Sequence, residues 1–182
     1  MKILLVSDTH GDIYSWKKML ELEGDADLII HAGDVLYHGP RNPVKDTYNP
    51  AELAKAINEM DIPVLIAAGN CDAEVDGMVL NFPIQPSPLF CQVENKRIIV
   101  HHGHGKSEDE LVQLAGKFKA DMLVCGHTHL RMVKKVRDIV IVNPGSASLP
   151  KTEDQIPSFA VLDKGGISLV NLETGEVLEE ES

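Results

Sequence analysis

The chain has 182 residues, 43% of them hydrophobic, which predicts a single folded domain over residues 1–182 and excludes wholesale disorder. Lys and Arg number 17 against 28 Asp and Glu, so the net charge is −11, which argues against a basic nucleic-acid groove or a polybasic membrane surface. Eight His accompany only 4% aromatic residues, and this His-rich, aromatic-poor composition needs an explanation.

The first half of the chain alternates short apolar runs with helical periodicity. Buried strands are predicted at residues 2–6, 27–31 and 63–68, and helices at residues 14–22 and 51–60. The intervening segment 36–50 is a long loop for a compact domain, and loops of that length are usually functional. A βαβαβ order of this kind predicts a parallel sheet.

The second half is richer in predicted strands. The segment 79–90 contains Pro83, Pro86 and Pro88, so it is not a central strand. Ser107 and Glu110 form a capping-box pattern at the start of a predicted helix. The remaining elements are hairpins over 91–100, 131–142 and 158–172, a helix over 107–118, a strand over 121–125, and an acidic tail over 176–182 that we expect to fray. The whole pattern predicts an α/β domain with two packed sheets and helices outside.

All eight His lie in or beside loops that follow predicted strands. Because such loops gather at the carboxyl ends of the strands, the His side chains are expected to converge. Five junctions carry metal-type ligands: Asp8-Thr9-His10, Gly33-Asp34, Gly69-Asn70-Cys71-Asp72, His101-His102-Gly103-His104 and Gly126-His127-Thr128-His129. Each motif alone is equally explained by a turn, a cap or a solvated His, so the argument rests on their conjunction.

Extended backbone is expected within two of these motifs. Alternate residues of an extended segment point the same way, so Asp8 with His10, and His127 with His129, would each face one ion.

The order of these motifs resembles that of the calcineurin-like metallophosphoesterase superfamily. Residues 33–42 and 69–76 resemble, more narrowly, the small bacterial phosphodiesterases of the YfcE type. The resemblance implies a four-layer αββα sandwich with two mixed β-sheets and a dinuclear metal centre, most often of Mn²⁺. It assigns one ion to Asp8, His10, Asp34 and His129, and the other to Asp34, Asn70, His102 and His127.

This ligand set predicts hydrolysis of a phosphate ester. Mixed oxygen and nitrogen ligands suit Mn²⁺, Ni²⁺, Fe²⁺ or Zn²⁺ better than Ca²⁺, and two such ions make a locally positive site on an acidic chain. The expected reaction is in-line attack by a hydroxide that bridges the two ions. Preference for phosphodiesters is implied by the resemblance; the alternatives are a phosphomonoesterase or nucleotidase on the same site, and a non-catalytic scaffold with this fold.

One position departs from the superfamily pattern. Cys71 stands where most members have His, and a thiol is a poor replacement for imidazole at neutral pH. The candidate catalytic residues are Asn70, Cys71, Asp72 and His104, and the candidate substrate-binding residues are Arg41 and His38. For His104, His38 and Arg41, a supporting hydrogen bond, a solvated loop position or a surface ion pair explains the residue equally well.

The remaining expectations concern partners and location. The substrate is expected to be a small phosphate ester, and the Pro-rich segment 82–88 could mediate a homodimer or homotetramer. The first apolar run is too short for a signal-peptide core, no run approaches a membrane span, and the three Cys form no C-x-x-C pair. We therefore expect a cytoplasmic protein without disulfides.

Overall fold

The computed structural model describes residues 1–181 and contains, within them, twelve β-strands, three α-helices and a 3-10 turn at Asp76–Met78. The strands are β1 (Ile3–Val6), β2 (Leu28–His31), β3 (Val64–Ala67), β4 (Ile84–Gln85), β5 (Leu89–Val93), β6 (Lys96–Val100), β7 (Met122–Val124), β8 (Met132–Val136), β9 (Ile139–Asn143), β10 (Ser158–Asp163), β11 (Gly166–Asn171) and β12 (Val177–Glu181). The helices are α1 (Ile13–Glu23), α2 (Pro50–Asn58) and α3 (Glu108–Lys117).

The strands form two mixed sheets. The seven-stranded sheet has the order β12-β11-β10-β1-β2-β3-β4, in which β1 to β4 run parallel and the β10–β12 side is antiparallel. The five-stranded sheet has the order β5-β6-β7-β9-β8, with β6, β7 and β9 parallel and both edge strands antiparallel. Each sheet thus contains a set of neighbouring parallel strands whose carboxyl ends lie side by side.

Three apolar clusters define the layers. The first, which includes Trp16 and Phe159, packs α1 and α2 on the outer face of the seven-stranded sheet. The second, which includes Leu5 and Val100, joins the two sheets. The third, which includes Leu111, packs α3 on the five-stranded sheet. The predicted four-layer αββα sandwich with two mixed sheets is therefore confirmed.

Strand β1 shows why the sequence suits this arrangement. Leu4 and Val6 belong to the outer cluster, whereas Ile3 and Leu5 belong to the cluster between the sheets. Because successive side chains of a strand point to opposite faces, a strand covered on both sides must be apolar throughout. That requirement explains the uninterrupted apolar run that begins the chain.

The helix ends follow capping chemistry. The Asp12 side chain accepts a hydrogen bond from the Tyr14 amide at the start of α1. Helix α2 begins at Pro50, one residue before its predicted start, because proline suits the first position of a helix, where its missing N–H costs nothing. The predicted capping box of Ser107 and Glu110 is present at α3.

The expectation for the acidic tail is wrong. Residues 177–181 form β12, which pairs antiparallel with β11, and Glu179 lies 3.7 Å from the Arg131 guanidinium. Strand pairing at the sheet edge and this ion pair hold a segment whose composition suggested fraying. Ser182, the last residue of that prediction, lies outside the described residues.

The segment 79–90 agrees with the prediction that it is not a central strand. It contributes only the two-residue edge strand β4 and the beginning of β5, which is an edge strand of the other sheet. Within residues 1–181 no helix has the length and apolarity needed to cross a membrane.

Candidate metal centre and substrate pocket

The predicted ligands meet where the parallel strands of both sheets end. The loop after β1 lies beside the loop after β2, because the Asp8 amide donates to the Gly33 carbonyl and the His10 amide to the Asp34 carbonyl, both at 3.0 Å. The loop after β7 joins them when the His127 amide donates to Asp8 Oδ2, also at 3.0 Å. Three loops that are far apart in the sequence therefore lie together at the carboxyl ends of the parallel strands.

The backbone at these residues is not extended, so that expectation is wrong. Asp8, His10, Asp34, His127 and His129 all have φ between +46° and +67°. Non-glycine residues in this left-handed region cost about 1–3 kcal/mol each and are concentrated at functional sites. Tight left-handed turns, rather than strand alternation, turn these side chains toward one another.

Each carboxylate has one oxygen held by the protein and one turned into the cluster. Asp8 Oδ2 accepts from Ser7 Oγ at 2.6 Å and from the His127 amide, while Asp8 Oδ1 is buried without a hydrogen-bond partner among the described residues. Asp34 Oδ1 accepts from the Cys71 amide at 2.8 Å, and its Oδ2 faces the imidazoles. Both carboxylates are thus oriented before any ligand binds.

Three imidazoles are oriented in the same manner. Each donates its Nδ1–H to a backbone carbonyl: His10 to that of Tyr37, His102 to that of Ala32, and His129 to that of Leu149. Because a carbonyl only accepts, this arrangement places the proton on Nδ1 and turns Nε2 inward. His129 Nε2 then lies 3.2 Å from Asp8 Oδ1, and His102 Nε2 lies 3.3 Å from Asp34 Oδ2.

The cluster requires positive charge. Burial alone would raise the pKa of Asp8, yet the neighbouring His10 and His129 imidazoles hold it well below its usual range. Burial alone would lower the pKa of His102, but the Asp34 and Asp8 carboxylates raise it to about 9. Two buried carboxylates and inward-facing imidazole nitrogens need either protons or cations between them. The donor set therefore fits divalent metal ions.

The ligand atoms are close enough to share ions. One group consists of Asp8, His10 and His129, and another of Asp8, Asp34 and His102, with donor atoms within 4.8 Å of one another. Nitrogen and oxygen donors in this mixture suit first-row divalent metals.

His127 lies beside these groups, and Asn70 lies near it on the same pocket wall. The Asn70 amide is exposed and donates to Cys71 Sγ at 3.1 Å, and the His127 ring lies 5.2 Å from the His102 ring. Both residues line the same open pocket of about 740 Å³, which also exposes His10 and Asp34. The pocket therefore extends from the metal cluster toward solvent.

The other predicted residues fall in different places. Arg41 and Cys71 line the pocket, and burial raises the pKa of the Cys71 thiol to about 12. His38 does not line it, because its ring packs edge-on between Tyr37 and Tyr48, with ring centroids 4.7 and 5.1 Å away. His104 also lies outside the pocket lining, with its ring 5.6 Å from that of His102.

Asp72 connects two loops. Its carboxylate accepts from the backbone amides of Asp34 at 2.9 Å, Val35 at 2.8 Å and Gly69 at 2.7 Å. Burial nevertheless raises its pKa, as does the nearby Asp34 charge. Asp72 lines the pocket, but both of its carboxylate oxygens accept from backbone amides, so we assign it to positioning the Asp34 backbone.

Sequence reasoning missed several residues of the site. Lys151 and Tyr37 line the pocket, and the hydroxyls of Ser146 and Ser148 donate to the Asp8 carbonyl at 2.7 and 3.0 Å. The signal for the serines was a Pro-Gly-Ser turn after a strand that ends at the same edge. Lys151 and Tyr37 carried no comparable signal, because single cations and tyrosines are common on surfaces.

Comparison with known proteins places this chain in a family. The model of the calcineurin-like phosphoesterase superfamily domain matches residues 1–165. The chain belongs to that superfamily.

Individual relatives match over nearly the whole chain. Phosphodiesterase YfcE of Escherichia coli K12 is 37% identical over 180 residues, which cover 98% of this chain and 96% of that protein. The solved structure of YfcE, a phosphoesterase from E. coli, superposes with a TM-score of 0.87 at 34% identity, covering 100% and 98% of the two chains. Vacuolar Protein Sorting 29 from Cryptosporidium parvum has a TM-score of 0.71 at 20% identity, covering 97% and 93%, and shares the fold.

Proposed function

We propose that this protein hydrolyses phosphodiesters with two divalent metal ions bound in the cluster. The observation that supports this most directly is the set of inward-facing donors, in which the partnerless Asp8 Oδ1 lies 3.2 Å from His129 Nε2. The similarity to a bacterial relative named phosphodiesterase supports the same activity.

The residues that would hold the ions divide into two sets that share Asp34. One set is Asp8, His10, Asp34 and His129; the other is Asp34, Asn70, His102 and His127. We propose Mn²⁺ as the ion, with Ni²⁺, Fe²⁺ and Zn²⁺ acceptable to the same donors.

The ions, when bound, supply a water molecule of lowered pKa and neutralise charge on the phosphoryl oxygens. The chain supplies orientation: the carbonyls of Tyr37, Ala32 and Leu149 hold three imidazoles in one tautomer through Nδ1. Ser7 and the Cys71 amide hold the carboxylates in the same way.

Two cations line the substrate side of the pocket. Arg41 and Lys151 lie on its wall in a chain whose net charge is −11. We assign them to the phosphoryl oxygens that do not contact metal, because a guanidinium binds two oxygens at once and an ammonium adds a point charge. This role makes the pocket locally favourable for an anion on an acidic surface.

The test is hydrolysis of bis(4-nitrophenyl) phosphate with Mn²⁺, Ni²⁺, Mg²⁺ or Zn²⁺ and with chelator. We expect turnover that depends on the metal and exceeds that of the monoester 4-nitrophenyl phosphate. Faster monoester hydrolysis would favour a phosphomonoesterase or nucleotidase. Absence of turnover with all four ions would favour a scaffold.

Two further proposals concern the setting of the protein. The three cysteines are free, which suits a reducing compartment, and we propose a cytoplasmic location. We also propose assembly into a homodimer or homotetramer, which light scattering in solution would test.

A further inference from the structure

A second groove adjoins the candidate substrate pocket. It has a volume of about 710 Å³ and runs between helix α2 and the segment 75–81 that follows β3. Its lining includes Leu36, Tyr37, Tyr48, Ala51, Ala54 and Val79. Five polar or charged residues also line it, namely Lys55, Asn58, Glu59, Asp76 and Asn81, so apolar and aromatic residues form the larger part of its walls.

Tyr37 connects the groove to the metal cluster. Its carbonyl accepts the Nδ1–H of His10 at 2.8 Å, so its backbone is fixed to a proposed metal ligand. Its side chain lines both the pocket and the groove, and the residue is 41% exposed. A molecule whose phosphoryl group reaches His10 can extend along this ring into the groove.

Aromatic side chains are concentrated at this place. The chain has only three Tyr, and two of them, Tyr37 and Tyr48, line the groove. The His38 ring packs edge-on against both tyrosines, which holds the two rings in a continuous wall. Rigid aromatic walls of this kind bind planar rings by offset or edge-to-face contact.

The opposite wall presents two exposed valines beside Asp76 and Asn81. Val75 and Val79 are 59% and 51% exposed. The amide groups nearby are already paired, since Asn58 Nδ2 donates to the Val79 carbonyl at 2.7 Å and the Asn81 amide donates to Asn58 Oδ1 at 2.6 Å. The groove thus offers mainly apolar contact, beside the charged side chains of Lys55, Glu59 and Asp76.

We infer that this groove binds an aromatic ester group of the phosphodiester whose phosphoryl group lies at the metal cluster. The inference rests on the proposed function and narrows its substrate class to diesters that carry an aryl or heteroaromatic group. The inference follows from the Tyr37 wall that the pocket and groove share and from the apolar part of the lining. An aromatic group next to the phosphate would bury its apolar surface against this wall, which is favourable relative to exposure to water.

Two matched pairs of variants test the inference with bis(4-nitrophenyl) phosphate and Mn²⁺. Ala51→Trp fills the groove, whereas Glu52→Trp adds the same ring one residue later on α2, outside the lining. Val79→Gln makes the other wall polar, whereas Met78→Gln changes an exposed residue that does not line the groove. We expect KM to rise about tenfold in Ala51→Trp and Val79→Gln with kcat within about twofold, as loss of uniform substrate binding requires.

The control variants should match the wild type in both constants. Turnover by the wild type with unchanged KM in both groove variants would overturn the inference while leaving the proposed function intact. Absence of turnover by the wild type would overturn both. A wild-type dimer that Ala51→Trp and Val79→Gln convert to monomers in light scattering would assign the groove to a second copy of the chain and overturn the substrate role.

Discussion

The carboxylate of Asp72 offers the sharpest test of how the site is built. If it positions the loops after β2 and β3, Asp72→Asn should lower the free energy of unfolding as well as activity. A residue that only contacts substrate would lower activity alone.

The hydrogen bonds determine the size of the effect. One oxygen accepts from the Val35 amide, and the other accepts from the amides of Asp34 and Gly69. In asparagine an NH2 group replaces one carboxylate oxygen and cannot accept a hydrogen bond from an N–H donor. The rotamer that loses fewest hydrogen bonds places this NH2 group at the Val35 amide, which then has no acceptor. Losing one hydrogen bond to a charged group and weakening two others should cost about 3 kcal/mol.

The assay is urea denaturation, with hydrolysis and Mn²⁺ titration measured in parallel. The midpoint should fall without a change in slope, and activity should fall about 10–100-fold because the Asp34 backbone is no longer held. Glu74→Gln, which removes an exposed carboxylate two residues away, is the matched control and should be close to wild type. Wild-type stability in Asp72→Asn combined with lost activity would refute the positioning role.

Four other predictions follow from the same geometry. Asp34→Asn should lower Mn²⁺ affinity at both sites by at least about tenfold, measured by calorimetry; an unchanged stoichiometry and affinity would contradict a shared ligand. Cys71→His should raise the rate for esters with poor leaving groups by about tenfold relative to 4-nitrophenyl esters, and a flat leaving-group series would make Cys71 structural. Phe159→Ala should destabilise the fold by about 3–5 kcal/mol in urea, since the ring is fully buried; a loss below about 1 kcal/mol would contradict its core position. Chelator should lower the Tm and Mn²⁺ should restore it, whereas an unchanged Tm would argue against ions bound to the folded state.

Most of the fold could be predicted because its signals are local. Buried parallel strands such as β1 must be apolar on both faces, and the helix starts carry local signals such as the N-cap Ser107 and the first-position Pro50. The tail was mispredicted because β12 depends on pairing with β11, a partner that its own acidic composition does not reveal.

The types of residue at the site were also readable from the sequence. Motifs of Asp, Asn and His after successive strands indicated a metal centre, and the structure brings Asp8, His10, Asp34, His102 and His129 together. Part of the composition that seemed unusual at the outset is thereby explained: His10, His102, His127 and His129 lie at one edge, and two of the three Tyr line the adjoining groove.

Only the tertiary structure decided how these side chains face one another. The carbonyls that hold the His10, His102 and His129 rings belong to distant segments, as do the Asp34 and Val35 amides bound by Asp72. The same is true of Tyr37, which joins pocket and groove. A sequence specifies which chemical groups follow each strand, but the direction of a side chain depends on hydrogen bonds and packing between loops far apart in the chain.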